Sequence, residues 1–266
     1  MSEQKEHTES EEQVFDPEPE TEDVDLTDGE MSFMDHLDEL RKRIIYSIIG
    51  VALGCVVAGV FIDPLINYIL LGPASSAKLD LQNLRPFGQA FLYFKVIFVV
   101  GIIIAFPFML YQLWKFISPG LYLKEKGWVR SITFFTSLCF LVGVGFAYFV
   151  MIPSMLAFAA SFGSEKIRNI IDINEYFSFI TMMLLASGVL FELPMVSFVL
   201  ARVGLITPQF MKQYRRHAIV VILILAAILT PTPDPVSQLI FAAPLFVLYE
   251  FSIFIAKIGT RKYKAA

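Results

Sequence analysis

The chain has 266 residues, 56% of them hydrophobic and only 17% charged, with a mean hydropathy of +0.64; soluble domains lie near 45–50% and about 25%, so an ordinary water-soluble globule is excluded. Two cysteines, Cys55 and Cys139, both inside apolar runs, and three scattered histidines, His7, His36 and His217, exclude a disulfide scaffold and a zinc cluster made of His and Cys alone. The net charge of −4 hides a segregation: residues 1–30 carry thirteen acids against the base Lys5, a net of −12, and the rest of the chain is net +8.

Residues 1–30 have almost no apolar side chains and hold two prolines. They bury too little to offset the entropy of ordering, and an acidic, disordered cytoplasmic tail is expected. The stretch shows neither the basic and apolar regions of a secretory signal nor the arginines of a transit peptide. Ser32–Arg43 then sets Phe33, Leu37, Leu40 and Ile44 at helical spacing behind Ser32 as a cap. Asp38–Lys42 and Glu39–Arg43 are i,i+4 pairs with the acid first, the better orientation. An interfacial helix leading straight into a membrane span fits this pattern.

Ile44–Ile62 and Val96–Trp114 are each 19 residues without a charge, Ser131–Ser164 is 34 such residues, and Tyr176–Ala201 is interrupted only by Glu192. About 20 apolar residues cross a hydrocarbon core of about 30 Å, so these are four spans. Pro153 is expected to mark the exit of the third. Ala218–Thr230 and Val236–Ala256 follow, separated by Pro231-Thr232-Pro233-Asp234-Pro235. Both are short, and they form a hairpin that either crosses a thinned bilayer or dips in and returns. With a cytoplasmic N-terminus, inside segments hold fifteen Lys or Arg and outside loops four. The expected fold is therefore an all-α polytopic membrane protein with six transmembrane helices over 31–258, the fifth and sixth short. Both termini are cytoplasmic, and 259–266 is a basic tail.

No Gly-rich phosphate loop, HExxH or membrane-placed Ser-His-Asp arrangement is present, so no enzyme, metal or cofactor is expected. The informative groups are charges at membrane depth and acids at the inner face. Glu192 precedes Leu193-Pro194; an ionisable residue in hydrocarbon normally faces protein or a water-filled cavity, and Pro194 kinks the helix around it. It is either a functional dent or protonated packing glue. Glu250 is shallower and reads as half of a structural pair. The inner loop Trp114–Lys126 contains aromatics and a Ser-Pro-Gly turn, with one acid among bases; alone, it demands no ligand.

Taken in order, HLDELRKR at 36–43, FISPGLY at 116–122 with Lys124-Glu125, FAYFV at 146–150, FELP at 191–194 and TPTPDPVSQ at 230–238 resemble the TatC family. TatC is the multispanning receptor subunit of the twin-arginine protein translocase. The resemblance covers residues 32–258 and departs at TPTPDP, where the family more often reads TPPD. It implies binding of the Arg-Arg signal peptide of folded proteins at the cytoplasmic face, with Glu39 and Glu125 as the recognition carboxylates. A guanidinium is a planar fork that a carboxylate accepts bidentately, whereas Lys is a point charge. The flanking Arg41, Lys42, Arg43, Lys124 and Lys126 would keep both glutamates ionised and repel peptides that are merely cationic.

The resemblance assigns Phe116 and Pro119 to the receptor loop, and Pro73, Pro86 and Phe87 to an outer cap. Glu192 becomes the family's intramembrane glutamate. Thr230 and Gln238 fall where single-span TatA- and TatB-type subunits dock. It further implies self-association, export driven by the proton-motive force, no nucleic-acid partner, and residence in a prokaryotic plasma or inner membrane, with a thylakoid less favoured. A proton-coupled small-solute transporter using Glu192, or a plain membrane scaffold, is the competing reading from the residues.

Overall fold

The computed structural model describes residues 33–77, 79–117, 126–161, 170–230 and 235–263. The first apolar run forms one helix, α1 (Phe33–Val60), continuous from the amphipathic segment into the span as expected. Asp35 in its first turn complements the positive end of the helix dipole. Three short pieces follow: α2 (Ile62–Pro64), a wide π-type stretch over Leu65–Leu70, and α3 (Gly72–Ser76). They fold over one end of the bundle, burying Ile66, Leu70, Pro73 and Ala74. Two tyrosines pin this cover by donating to carbonyls on its backbone, Tyr176 Oη to Leu70 O at 2.9 Å and Tyr148 Oη to Ile69 O at 3.0 Å.

β1 (Asp80–Gln82) pairs in parallel with β2 (Ile170–Asp172), Leu81 opposite Ile171. This clasp joins two loops that an all-α reading keeps apart. Three residues a side are too few to leave an alternating pattern in the sequence.

α4 (Gly88–Ile117) starts well before Val96 and includes Lys95. α5 (Lys126–Phe146), a π-type stretch at Ala147–Met151 and α6 (Ile152–Ser161) make one rod. Pro153 therefore does not end the third span. The wide turn just before it leaves room for the ring and tolerates its missing amide.

α7 (Ile173–Leu190) begins at Asp172, whose carboxylate accepts the Asn174 amide at 2.6 Å. That hydrogen bond, with help from the Arg85 charge, holds the Asp172 carboxyl below the usual carboxylate range. α8 (Leu193–Arg202) continues the fourth span after a break at Phe191-Glu192. Pro194 cannot donate an amide to the preceding turn, and Glu192 N tightens onto Val189 O instead, at 3.1 Å. Gly204, at φ 83°, ends α8, and α9 (Pro208–Gln213) is capped by Thr207.

α10 (Arg215–Leu229) has 15 residues, about 22 Å of helix, and is short as expected. α11 (Pro235–Tyr263) is not: its 29 residues run through Pro244. The expected short sixth span is therefore corrected. Its polar and basic last turns are helical too, and they lie beyond the reach of a hydropathy argument. Among the described residues, five helical stretches are long and apolar enough to cross a membrane, Met34–Val60, Gly88–Ile117, Arg130–Ser161, Ile173–Arg202 and Pro235–Thr260.

Two seams organise the bundle, α1 on α4 and α8 on α11. The first is very close: a Cβ on Gly101 would sit 2.6 Å from Cys55 Sγ. The largest buried cluster draws on α4, α6, α7, α10 and α11, with Leu92, Ile152, Met183, Ala226 and Phe241 fully enclosed. Ile48, Leu53, Val56, Phe94, Phe134 and Val247 point outward, as lipid-facing positions do.

Candidate functional site

The start of α1 and the end of α4 meet at the end of the bundle opposite the β clasp. There, Asp35, Asp38, Glu39, Lys42, Arg43, Tyr46 and Lys115 line a cavity of about 560 Å³. Glu39 and Arg43 are one helical turn apart, and Arg43 Nη2 donates to Glu39 Oε1 at 2.8 Å. Arg43 Nη1 reaches across the seam to Gln112 Oε1 at 3.2 Å. The two ionic side chains are 17% and 19% exposed, so this pair is largely withdrawn from water. The companion Asp38–Lys42 pair does not form among the described residues.

Gln112 was not visible as a site residue in the sequence. It is 5% exposed and is the one amide inside the apolar run Val96–Trp114; that isolation is the signal that marks it. Phe116, half-buried, stacks on His36 with ring centroids 4.4 Å apart and planes 23° from parallel. The last turn of α4 is thereby attached to the first turn of α1. Arg41 is exposed and stands outside the cavity lining. Glu125 and Pro119 lie outside the described residues, as do the tail 1–30 and Asp234.

Glu192 sits midway along the fourth span, in the break between α7 and α8. It is 8% exposed, and its Oε1 has no hydrogen-bond partner among the described residues. The seam beside it is tight. Ser187 Oγ donates to Gly143 O at 2.9 Å, and a Cβ on Gly143 would lie 2.7 Å from Phe191 Cβ. Proline position and close helix packing together hold the carboxyl in the bundle wall, away from Glu39 in chain and in fold.

Thr230 and Gln238 each bond a carbonyl of α10, one from the end of that helix and the other from α11. Thr230 Oγ1 donates to Ala226 O at 2.9 Å, and Gln238 Nε2 donates to Leu223 O at 2.9 Å. Both tie down the short helix. At the end of the bundle that carries the β clasp, Pro73 is buried in the cover, whereas Pro86 and Phe87 are exposed on the approach to α4. Glu250 pairs with Arg215 at 2.6 Å at the other end of α10.

The family model of the Sec-independent protein translocase protein TatC matches residues 35–244. A Sec-independent protein translocase protein TatC of Carboxydothermus hydrogenoformans is 38% identical over 232 residues, covering 87% of this chain and 95% of its own length. One of Helicobacter pylori (strain 26695) is 41% identical over 222 residues, covering 84% and 86%. A crystal structure described as the twin-arginine translocase receptor TatC superposes with a TM-score of 0.75 at 36% identity, covering 85% of this chain and 99% of that one.

Proposed function

The chain belongs to the TatC family of Sec-independent protein translocase proteins, and from that premise we propose that its Glu39 cavity receives the paired arginines of signal peptides on folded proteins. The observation that carries this reading is the guanidinium already seated on Glu39: Arg43 makes with this carboxylate, at 2.8 Å, the kind of contact a peptide arginine needs. A carboxylate on the wall of an open cavity accepts the planar fork, and partial burial strengthens the contact relative to water. Glu125 supplies the second carboxylate from the loop after α4, and Phe116 and Pro119 shape that loop. Arg41 contributes to the basic surround.

The remaining assignments follow the same reading. The chain crosses a prokaryotic plasma or inner membrane six times, with α10 as the short fifth crossing, and both termini are cytoplasmic. Once the arginines are held, the apolar part of the signal peptide lies along the wall dented by Glu192. TatA- and TatB-type subunits dock beside the Thr230–Gln238 hairpin. The Pro73 cover, with Pro86 and Phe87, closes the far side, and the proton-motive force drives passage of the cargo. The acidic segment 1–30 and the basic segment 259–266 flank this membrane domain of residues 31–258.

The test is direct binding of an Arg-Arg signal peptide to the purified full chain, against a Lys-Lys version and against Glu39→Ala. A charge-assisted hydrogen bond contributes about 1.5–3 kcal/mol, so Glu39→Ala is expected to weaken Arg-Arg binding by about ten- to 150-fold. Equal binding of the two peptides, or indifference to Glu39→Ala, rejects the reading. A solute carrier built on Glu192 would show that indifference.

A further inference from the structure

We infer that Arg43 is a resident guanidinium which an incoming arginine must displace, and that Gln112 is the positioning residue that receives it. The inference rests on the reading that Glu39 binds the signal peptide. It adds a displacement step to that reading and names the residue that governs it.

Among the described residues, Arg43 is the cation bound to Glu39, through Nη2, so one carboxylate oxygen is occupied before any peptide arrives. A second guanidinium gains its full two-pronged contact only when both oxygens are free. Arg43 therefore competes with the peptide, and the apparent affinity falls by the fraction of molecules in which Glu39 is open. Arg43 cannot simply leave, because a largely buried cation without an acceptor is costly. Among the described residues, its other hydrogen-bond acceptor is the Gln112 carbonyl oxygen across the seam, already at 3.2 Å from Nη1.

Gln112 is well suited to a transfer. It is buried on α4 and does not move with α1, and its carbonyl oxygen has two lone pairs. Arg43 has donors to spare, since its buried Nε has no hydrogen-bond partner among the described residues. An arriving arginine repels Arg43 and attracts Glu39, and both forces drive the same rotation of Arg43 towards Gln112. Being neutral, Gln112 holds Arg43 less strongly than Glu39 does, so the empty site stays closed by its own arginine and a lone weak cation does not open it.

The experiment measures Arg-Arg peptide binding to the full chain carrying Gln112→Glu or Gln112→Leu, each alone and combined with Arg43→Gln. Gln112→Glu gives Arg43 a stronger alternative and frees Glu39, so binding is expected to tighten by about three- to tenfold. Gln112→Leu removes the receiving group and is expected to weaken binding by about tenfold. In the Arg43→Gln background both effects are expected to vanish. Effects of the same sign from the two Gln112 variants overturn the inference, as does no effect from either. Tightening that survives Arg43→Gln also overturns it, since the new carboxylate would then be attracting the peptide directly. If Glu39→Ala is itself silent, the binding-site reading has failed instead, which is a separate result.

Discussion

Two carboxylates in this protein are withdrawn from water in opposite ways. Glu39 is held near the start of α1 with a guanidinium 2.8 Å away and a cavity beside it. Glu192 is deeper, in a helix break, with an oxygen that finds no partner among the described residues. A paired carboxylate is destabilising to remove, because its cation is left behind; an unpaired one is destabilising to keep, and it persists where something other than stability retains it. The contrast separates a carboxylate that keeps a cation beside it from one that carries a standing cost.

The strongest way to break the contrast is at the seam that carries the first site. Gly101→Val places a Cβ against the Cys55 backbone nitrogen, 2.8 Å away, where α1 cannot yield without separating Arg43 from Gln112. Overpacking of this kind costs about 1–3 kcal/mol or more, and thermal unfolding in detergent should show a lowered midpoint together with lost Arg-Arg peptide binding. A variant with the native midpoint and native binding would show that the seam does not position Glu39.

A smaller effect of opposite sign is expected at the second carboxylate. Glu192→Leu removes a buried group with an unmet hydrogen bond, so stability should hold or rise by about 1–3 kcal/mol while export of a folded reporter falls. A clear loss of stability would mean that Glu192 is packing glue after all. The smallest effect belongs to the exposed pair Arg215–Glu250, 46% and 54% open to solvent. Arg215→Ala should cost about 0.2–1 kcal/mol, and less in high salt; a larger, salt-insensitive loss would put this pair in the same class as Glu39–Arg43.

Much of the site was legible in the chain because it is encoded locally. Glu39 and Arg43 pair within one helix turn, and Pro194 breaks the helix beside Glu192; both are i,i+4-scale effects. Gln112 was not legible, because its role depends on which helix crosses which: its partner Arg43 lies 69 residues away. The clasp of Leu81 with Ile171 and the passage of the third span through Pro153 escaped for related reasons. A three-residue pairing leaves no periodicity, and a wide turn that absorbs a proline has no residue signature of its own.

What the amino-acid order determined unaided was a set of apolar rods, a strongly acidic beginning, and two acids placed where hydrocarbon makes them conspicuous. These depend on side-chain transfer energies and on spacing along one helix, which neighbours elsewhere do not alter. Only the tertiary structure decided that α1 lies close enough to α4 for Arg43 to be shared between Glu39 and Gln112, that α11 is a long helix, and that the far loops are joined. Those facts depend on the small residues that set helix separation and on contacts between distant parts of the chain, which no local pattern records.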